Sequence, residues 1–332
     1  MPPPTLHVVF GAGQVGLPLA RLLASRGHAV RLVSRTGKPV PGGAAAGEAS
    51  GPAGIQVVAA DARDSAATRA VVQGAAAVYH CMNPRYDAKV WETELPPIQE
   101  SLVAAAGGEG ARLVVLDNLY AVGRTGGRVM TDSTPDAPCS RKGEARGRLA
   151  AALREAVTRG DVRAVTGRAS DFFGPGGLQT HFGDRFWTRL LAGKGAEVLG
   201  NPDNPHSYHF LPDVAAGLAA LGEATDEASG AREGAAWILP CAAAGTTRQL
   251  VAGFAAAAGM PVAVKRMPRA LVKLLGLFMP PLREVDEMLY QWDEPFVADD
   301  RAFRARFGVL PTAPEEAARQ TVAWARTLQP RS

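Results

Sequence analysis

Along the first half of the chain, short runs of β-branched and aromatic residues alternate with Ala-, Leu- and Arg-rich stretches whose apolar positions recur at helical spacing. The apolar runs predict strands at Leu6–Phe10, Ala29–Val33, Gln56–Ala59, Ala77–Cys81, Arg112–Leu116 and Arg163–Thr166. Helical periodicity lies between them at Val15–Arg26, Ser65–Gln73, Lys89–Ala106 and Arg141–Arg159. The runs are continuously apolar rather than alternating, as expected of strands buried on both faces, and four of the six are followed by a helix long enough to cross over. The fold class this predicts is α/β, a doubly wound parallel (Rossmann) sheet with a ligand crevice beyond the carboxyl ends of its strands. The Gly/Ala/Pro-rich stretch Lys38–Pro52 reads as a surface loop without chemistry.

After Arg168 the rhythm changes. Gly174-Pro175-Gly176-Gly177 is followed by aromatic-rich segments and by helical patterns at Pro212–Gly222, Thr247–Ala258, Pro268–Phe278 and Pro314–Leu328. The expected organisation is a dinucleotide-binding domain over residues 1–168 and a smaller, mainly substrate-binding C-terminal lobe over 169–332, with strands of the second part able to return to the main sheet.

Composition narrows the function classes. With 332 residues, 47% hydrophobic and 20% charged, the chain can bury a large core and is not a disordered one. Its 36 Lys+Arg against 32 Asp+Glu leave a net charge of +4. The cations are scattered, so no nucleic-acid partner is expected. Three cysteines, at 81, 139 and 241, are too few and too dispersed for a disulfide framework or a Cys-x-x-Cys metal site, which fits a reducing, cytoplasmic setting. The start lacks a basic leader pattern, and Leu271–Pro281 is too short for a membrane helix, so no integral membrane segment is expected.

The strongest chemical signal is Gly11-Ala12-Gly13-Gln14-Val15-Gly16, placed between the first predicted strand and the first predicted helix. Gly11 suits the tight turn, Gly13 the approach of a pyrophosphate to the backbone, and Gly16 close helix–strand packing; Gln14 and Val15 open the helix whose amino end attracts the phosphates. The second strand ends Ser34-Arg35 with no carboxylate for a ribose 2′-hydroxyl. Ser34 and Arg35 therefore favour a 2′-phosphate, and NADP is expected over NAD. Asp61 and Ala62 follow the third strand, with Asp61 placed to accept from an adenine amino group or, alternatively, to cap the next helix.

The chain resembles the extended short-chain dehydrogenases/reductases, the NAD-dependent epimerase/dehydratase family. The resemblance rests on Gly11–Gly16, Asp61, Leu113–Leu116 with Asp117-Asn118-Leu119-Tyr120-Ala121-Val122-Gly123, the stretch Gly167–Gly176, and Phe210-Leu211-Pro212-Asp213-Val214-Ala215. It implies a proton-relay site of Ser/Thr, Tyr and a Lys four residues after the Tyr. No Tyr-x-x-x-Lys occurs here; matched by position, Asn118 stands for the Ser/Thr, Pro138 for the Tyr, and Lys142 for the Lys. The resemblance gives Lys142 the nicotinamide ribose, and a homodimer through two long helices as the default assembly.

A carbonyl that receives hydride still needs a proton. Tyr120, two residues past Asn118, is the candidate donor, with Asn118 orienting the substrate oxygen. No metal is expected: His206 and His209 lie three apart in an extended segment and point to opposite faces. The aromatic content of the lobe favours a small, fairly apolar substrate. The leading expectation is an NAD(P)H-dependent oxidoreductase, a reductase or dehydrogenase of a carbonyl or ring system in secondary metabolism. The alternatives are a sugar-nucleotide epimerase/dehydratase and a non-catalytic NADP-sensing regulatory protein.

Overall fold

Strand β1 (Leu6–Phe10) carries Val8, Val9 and Phe10 with no exposure at all, and its neighbours repeat the pattern. In the computed structural model, which describes residues 5–39, 54–224, 234–267, 272 and 280–328, these runs form one parallel sheet. It comprises β2 (Ala29–Ser34), β3 (Ile55–Ala59), β4 (Ala77–His80), β5 (Arg112–Asn118) and β6 (Arg163–Ala169) in addition to β1. The crossovers are α1 (Gly16–Ser25), α2 (Ser65–Val72), α3 (Ala88–Gly108) and α4 (Arg141–Thr158).

In the second half come β7 (Asp171–Phe173), α5 (Asp184–Leu191), β8 (Ala196–Val198), β9 (Pro205–His206), β10 (Tyr208–Phe210), α6 (Leu211–Glu223) and β11 (Ala236–Ile238). They are followed by β12 (Gly245–Thr246), α7 (Thr247–Ala258), β13 (Val264–Arg266), α8 (Pro280–Asp286), α9 (Tyr290–Asp293), α10 (Arg301–Phe307) and α11 (Pro314–Ala325). The expected helix at 268–278 lies, apart from Val272, outside the described residues, as does most of the Lys38–Pro52 stretch.

The sheet order is β11-β6-β5-β4-β1-β2-β3, so the direction of winding reverses between β1 and β4. There the crossovers leave on opposite faces and a crevice opens beyond the strand ends. Period-2 alternation sorts the core into two layers. Val9, Leu32, Val114 and Val165 meet α1 and α6 through Leu19, Leu23, Val214 and Leu218. Val8, Phe10, Val33, Val78 and Leu113 meet α2, α3 and α4 through Val72, Ile98, Leu102 and Leu153. The second half thus contributes α6 to one layer and β11 to the sheet edge.

Two strands run further than their apolar cores predict. The β5–β6 ladder continues through Asp117↔Arg168 to Asn118↔Ala169. Across this pair Arg168 Nε lies 3.7 Å from Asp117, whose other oxygen faces Arg146 at 3.5 Å, so a buried charge cluster extends the strands past their hydrophobic part. The added residues bring Asn118 to the strand end. The rest of the lobe packs on an aromatic core of Phe173, Phe182, Phe186, Trp187 and Phe254. Among the described residues, no helix is long and apolar enough to cross a membrane.

Candidate active site

At the β1–α1 turn, glycine is required twice by sterics and once by something else. Gly11 has φ +106°, and a Cβ there would sit 2.8 Å from the Cys81 carbonyl oxygen. A Cβ on Gly16 would sit 1.9 Å from the Gly11 carbonyl oxygen. Gly13 differs: its Cβ would meet nothing within 4 Å among the described residues, so packing does not demand a glycine there. The first turn of α1 carries no acidic residue and its N-cap Val15 makes no side-chain cap; the Leu17 N–H already bonds the Gly13 carbonyl and Pro18 has no N–H, so an external acceptor meets the turn ahead of the helix with no side chain competing for it. These features fit the pyrophosphate of a dinucleotide. Val15 is buried and presents only its backbone. Gln14 turns to the lobe, where its side chain donates to the Gln179 carbonyl at 3.4 Å and accepts from the Gln179 N–H at 3.3 Å.

At the end of β2, Ser34 Oγ accepts the Gly37 N–H at 3.1 Å, keeping its own O–H as a donor, and Arg35 is exposed. Asp61 is already engaged. The Arg63 guanidinium binds both its oxygens, at 3.0 Å from Nε and 2.5 Å from Nη2, and the Arg63 N–H adds a third contact at 3.0 Å. Those bonds hold the carboxyl down at about 2. The helix-capping alternative falls to Asp64, which accepts from the N–H groups of Ala66 and Ala67; Ala62 packs in the core.

Beyond β5 the chain makes a tight turn over Tyr120–Val122. Asn118 caps it, its side-chain oxygen accepting the Tyr120 N–H at 3.0 Å, which leaves the amide nitrogen to donate elsewhere. The Tyr120 ring lies parallel to Trp91 at 6.1 Å, and its hydroxyl is 3.4 Å from that of Tyr86. Burial first, then the Asp171 charge, push the Tyr120 phenol well above its ordinary range, against the smaller downward pull of Tyr86, Arg146 and Gln291.

Lys142 is where the structure departs most from the expected arrangement. Its expected place is on a ribose, but its ammonium is fully buried and bonds Glu284 Oε2 at 2.5 Å, the Glu284 carbonyl at 2.9 Å and Glu287 Oε1 at 2.8 Å. Its three N–H donors are thereby matched by three acceptors from the lobe. The Tyr86 ring closes a further side at 4.7 Å. The same carboxylates cap helix ends, Glu284 accepting from Ala88 at the start of α3 and Glu287 from Arg141 at the start of α4. Burial raises the Glu284 carboxyl, but the ammonium and the Ala88 N–H outweigh it and hold the group below its usual value.

Replacing both Glu284 and Glu287 by Gln strands the buried ammonium and is expected to destabilise the protein by about 3 kcal/mol, read from denaturant midpoints. Because the folded carboxyl is depressed, the stability from Glu284 is complete above its unfolded pKa and is lost as pH falls through the folded one. The double variant should therefore show a shallower acid decline than the parent.

The second half of the chain brings further polar groups together, of which His181 carries no sequence signal. Both ring nitrogens of His206 face acceptors, the Asp171 carboxylate at 2.8 Å and the Gln291 carbonyl at 3.0 Å. His209 turns elsewhere, to the Ser170 N–H and the Leu239 carbonyl, so the two histidines serve different elements. Among the described residues, no group of His, Cys, Asp and Glu is arranged to hold a metal. His181 stands 5.0 Å from the Trp292 ring, and neither of its shielded nitrogens has a hydrogen-bond partner among the described residues. Leaving such a group unpaired costs about 1–3 kcal/mol. Cys81, beneath the glycine turn, is pushed up to about 12 by burial, which makes it an unreactive thiol.

Comparison with solved structures finds the whole architecture elsewhere. A putative epimerase from Burkholderia cenocepacia J2315 superposes with TM-score 0.74 at 19% identity, covering 98% of this chain and 99% of that one. The UDP-glucose 4-epimerase of Thermus thermophilus, solved with NAD, gives 0.72 at 19%, with 97% and 99% covered. The UDP-glucuronic acid 4-epimerase of Bacillus cereus, also solved with NAD, gives 0.73 at 14%, with 97% and 96% covered. A search of curated protein sequences finds no significant match. The sequence pattern of the NAD dependent epimerase/dehydratase family matches residues 7–232, from β1 through α6 and thus across the glycine turn, β5 and Lys142; the chain belongs to that family.

Proposed function

We propose that the chain is an NAD(P)H-dependent reductase, with NADPH preferred, acting on a small, fairly apolar carbonyl or ring substrate. The observation that carries this reading is the state of Tyr120, the candidate donor two residues past Asn118, and of Lys142, the residue kept from the proton-relay pattern. Tyr120 is buried, with its phenol shifted upward, and Lys142 is neutralised by Glu284 and Glu287. A phenol held protonated can give its proton to an alkoxide, which is far more basic, but is a poor base for removing a proton from an alcohol. Chemistry that begins by oxidising a sugar hydroxyl needs that base first.

Gly11, Gly13 and Gly16 with the amino end of α1 hold the dinucleotide, while Ser34 and Arg35 take the 2′-phosphate. A bound nicotinamide supplies the hydride. Asn118 orients the substrate oxygen through its amide N–H, and Tyr120 donates the proton to that oxygen. The substrate side of the crevice is lined by the half-buried Tyr86 and Tyr120.

A sugar-nucleotide epimerase or dehydratase is the second reading, favoured by the family and by neighbours whose names carry UDP-sugars. Against it stands the Asp171 carboxylate, which holds His206 at 2.8 Å and acts on Tyr120, where a diphosphate needs cations.

Fluorescence titration with NADPH and NADH, followed by cofactor oxidation with a panel of ketones, enones and quinones, tests the reading. Tighter NADPH binding and turnover of a carbonyl support it. Interconversion of UDP-sugars would establish the epimerase, and binding with no turnover of any kind a sensor. In the same titration Arg35→Ala is expected to weaken NADPH about tenfold, the loss of one charge-assisted contact, and to leave NADH unchanged.

A further inference from the structure

Where α5 ends and β8 begins, the chain passes through Gly193-Lys194-Gly195, with both glycines at positive φ. The Gly193 N–H bonds the Leu190 carbonyl and the Lys194 N–H bonds the Arg189 carbonyl, which closes the last turn of α5. Arg189 holds Lys194 a second time, its Nη2 donating to the Lys194 carbonyl at 3.1 Å. Gly195 then lets the backbone meet the segment before β13. A Cβ there would sit 2.7 Å from the Ala263 carbonyl oxygen, and the following N–H, that of Ala196, bonds the same oxygen at 2.9 Å. From this point β8 and β13 run parallel, with Lys265 in register with Glu197.

Two segments distant in sequence are thus fixed side by side, and a cavity of about 330 Å³ lies between them. Its lining carries three cations, Arg189, Lys194 and Lys265, an apolar side of Pro261, Val262 and Ala263, and no carboxylate. Arg189 shares Glu197 with Arg185, at 3.3 and 3.2 Å, so its charge is balanced only in part. Lys194 and Lys265 are exposed, and their ammonium groups bond no described residue. The backbone acceptors are in the opposite state, since the carbonyls of Arg189, Lys194 and Ala263 each already receive an N–H. A cavity whose acceptors are used and whose cations are not selects an anion.

We propose that this cavity is a second ligand site and that it takes a small organic phosphate, the phosphate held by Lys194 and Lys265 and the organic body resting on Pro261, Val262 and Ala263. A volume of about 330 Å³ lies at the small end of ligand sites and leaves room for a body beside the phosphate group. Ammonium groups act as point charges and suit the rounded phosphate, while the turn that Arg189 grips keeps Lys194 in place. None of the glycine-rich turn, Asn118, Tyr120 or Lys142 lines the cavity, so its ligand is an effector rather than the reacting substrate. The assignment stands or falls apart from the reductase reading.

Phenyl phosphate, inorganic phosphate and phenol serve as probes, each titrated calorimetrically into the full chain with one equivalent of NADPH present to occupy the glycine-rich turn. Phenyl phosphate is expected to bind saturably and about tenfold more tightly than inorganic phosphate, with no measurable binding of phenol. Lys194→Ala and Lys265→Ala should each weaken phenyl phosphate about tenfold, as loss of one charge-assisted contact implies, and the double variant should weaken it further. Lys89→Ala, which removes an exposed lysine on α3, should leave the affinity within about twofold of the parent. Phenyl phosphate should also raise the melting temperature of the parent and not that of the double variant, whose NADPH affinity stays at the parent value.

Phenyl phosphate affinity undiminished in the double variant places the phosphate elsewhere and overturns the assignment. A loss in Lys89→Ala as large as in the cavity variants does the same, because it marks a general attraction to a basic protein. Equal affinity for phenyl phosphate and inorganic phosphate overturns the organic body, and absence of binding by the parent overturns the site altogether.

Discussion

Replacing Gly13 with alanine is expected to leave the fold intact and to weaken dinucleotide binding by about 10–100-fold, whereas Gly16→Ala should lose the fold itself. The two residues sit three apart in the same turn and differ in what a methyl group would meet. At Gly16 the methyl would be 1.9 Å from the Gly11 carbonyl oxygen and 3.2 Å from the Val9 side chain, so α1 must lift from β1. Those elements anchor the layer containing Leu19, Leu23 and Val214, and overpacking at such a contact is expected to cost more than about 3 kcal/mol. At Gly13 the methyl meets no described atom, so alanine is accommodated in the unliganded protein. What it obstructs is the approach of the phosphates to the backbone. The measurement is a pair of numbers for each variant, a denaturant midpoint and an NADPH dissociation constant. Equal cofactor affinity in Gly13→Ala and the parent would mean that the phosphates do not pass over this turn.

The sheet is legible because its signal is local. Val8, Val9 and Phe10 form an apolar run that no helix period explains, and the crossover helices begin at residues the chain marks clearly, Asp64 for α2 and Ser140 for α4. Strand ends are less legible. β5 reaches Asn118 because Asp117 pairs with Arg146 and Arg168, a charge cluster that spans three elements and leaves no trace in local hydropathy.

The partners of Lys142 lie further out of reach. Glu284 and Glu287 stand 142 and 145 positions along the chain, in and just past α8, whose place on α3 and α4 depends on the packing of the whole lobe. The lysine itself is visible in the sequence, but what neutralises it is a tertiary fact. Asp61 is the opposite case. Its partner Arg63 is two residues away, and the pair could have been read from spacing alone in the turn before α2.

Tyr120→Phe is the variant expected to lower turnover most, by about 10²–10³ in kcat, with NADPH affinity unchanged. Phenylalanine keeps the stack on Trp91 and the apolar wall, and removes only the hydroxyl that faces Tyr86. The pH profile gives an independent reading. Because burial and the Asp171 charge raise the phenol above its ordinary value, the donor form is complete at every pH below about 10, and reduction should be flat from neutrality to that point. In the reverse direction the phenolate is the active form, so alcohol oxidation should rise with pH over the same range. A Tyr120→Phe protein that turns over within about threefold of the parent removes this residue from the chemistry, because a proton donor is worth far more than that. A reduction rate that falls with rising pH well below about 10 would take the proton from a group other than Tyr120.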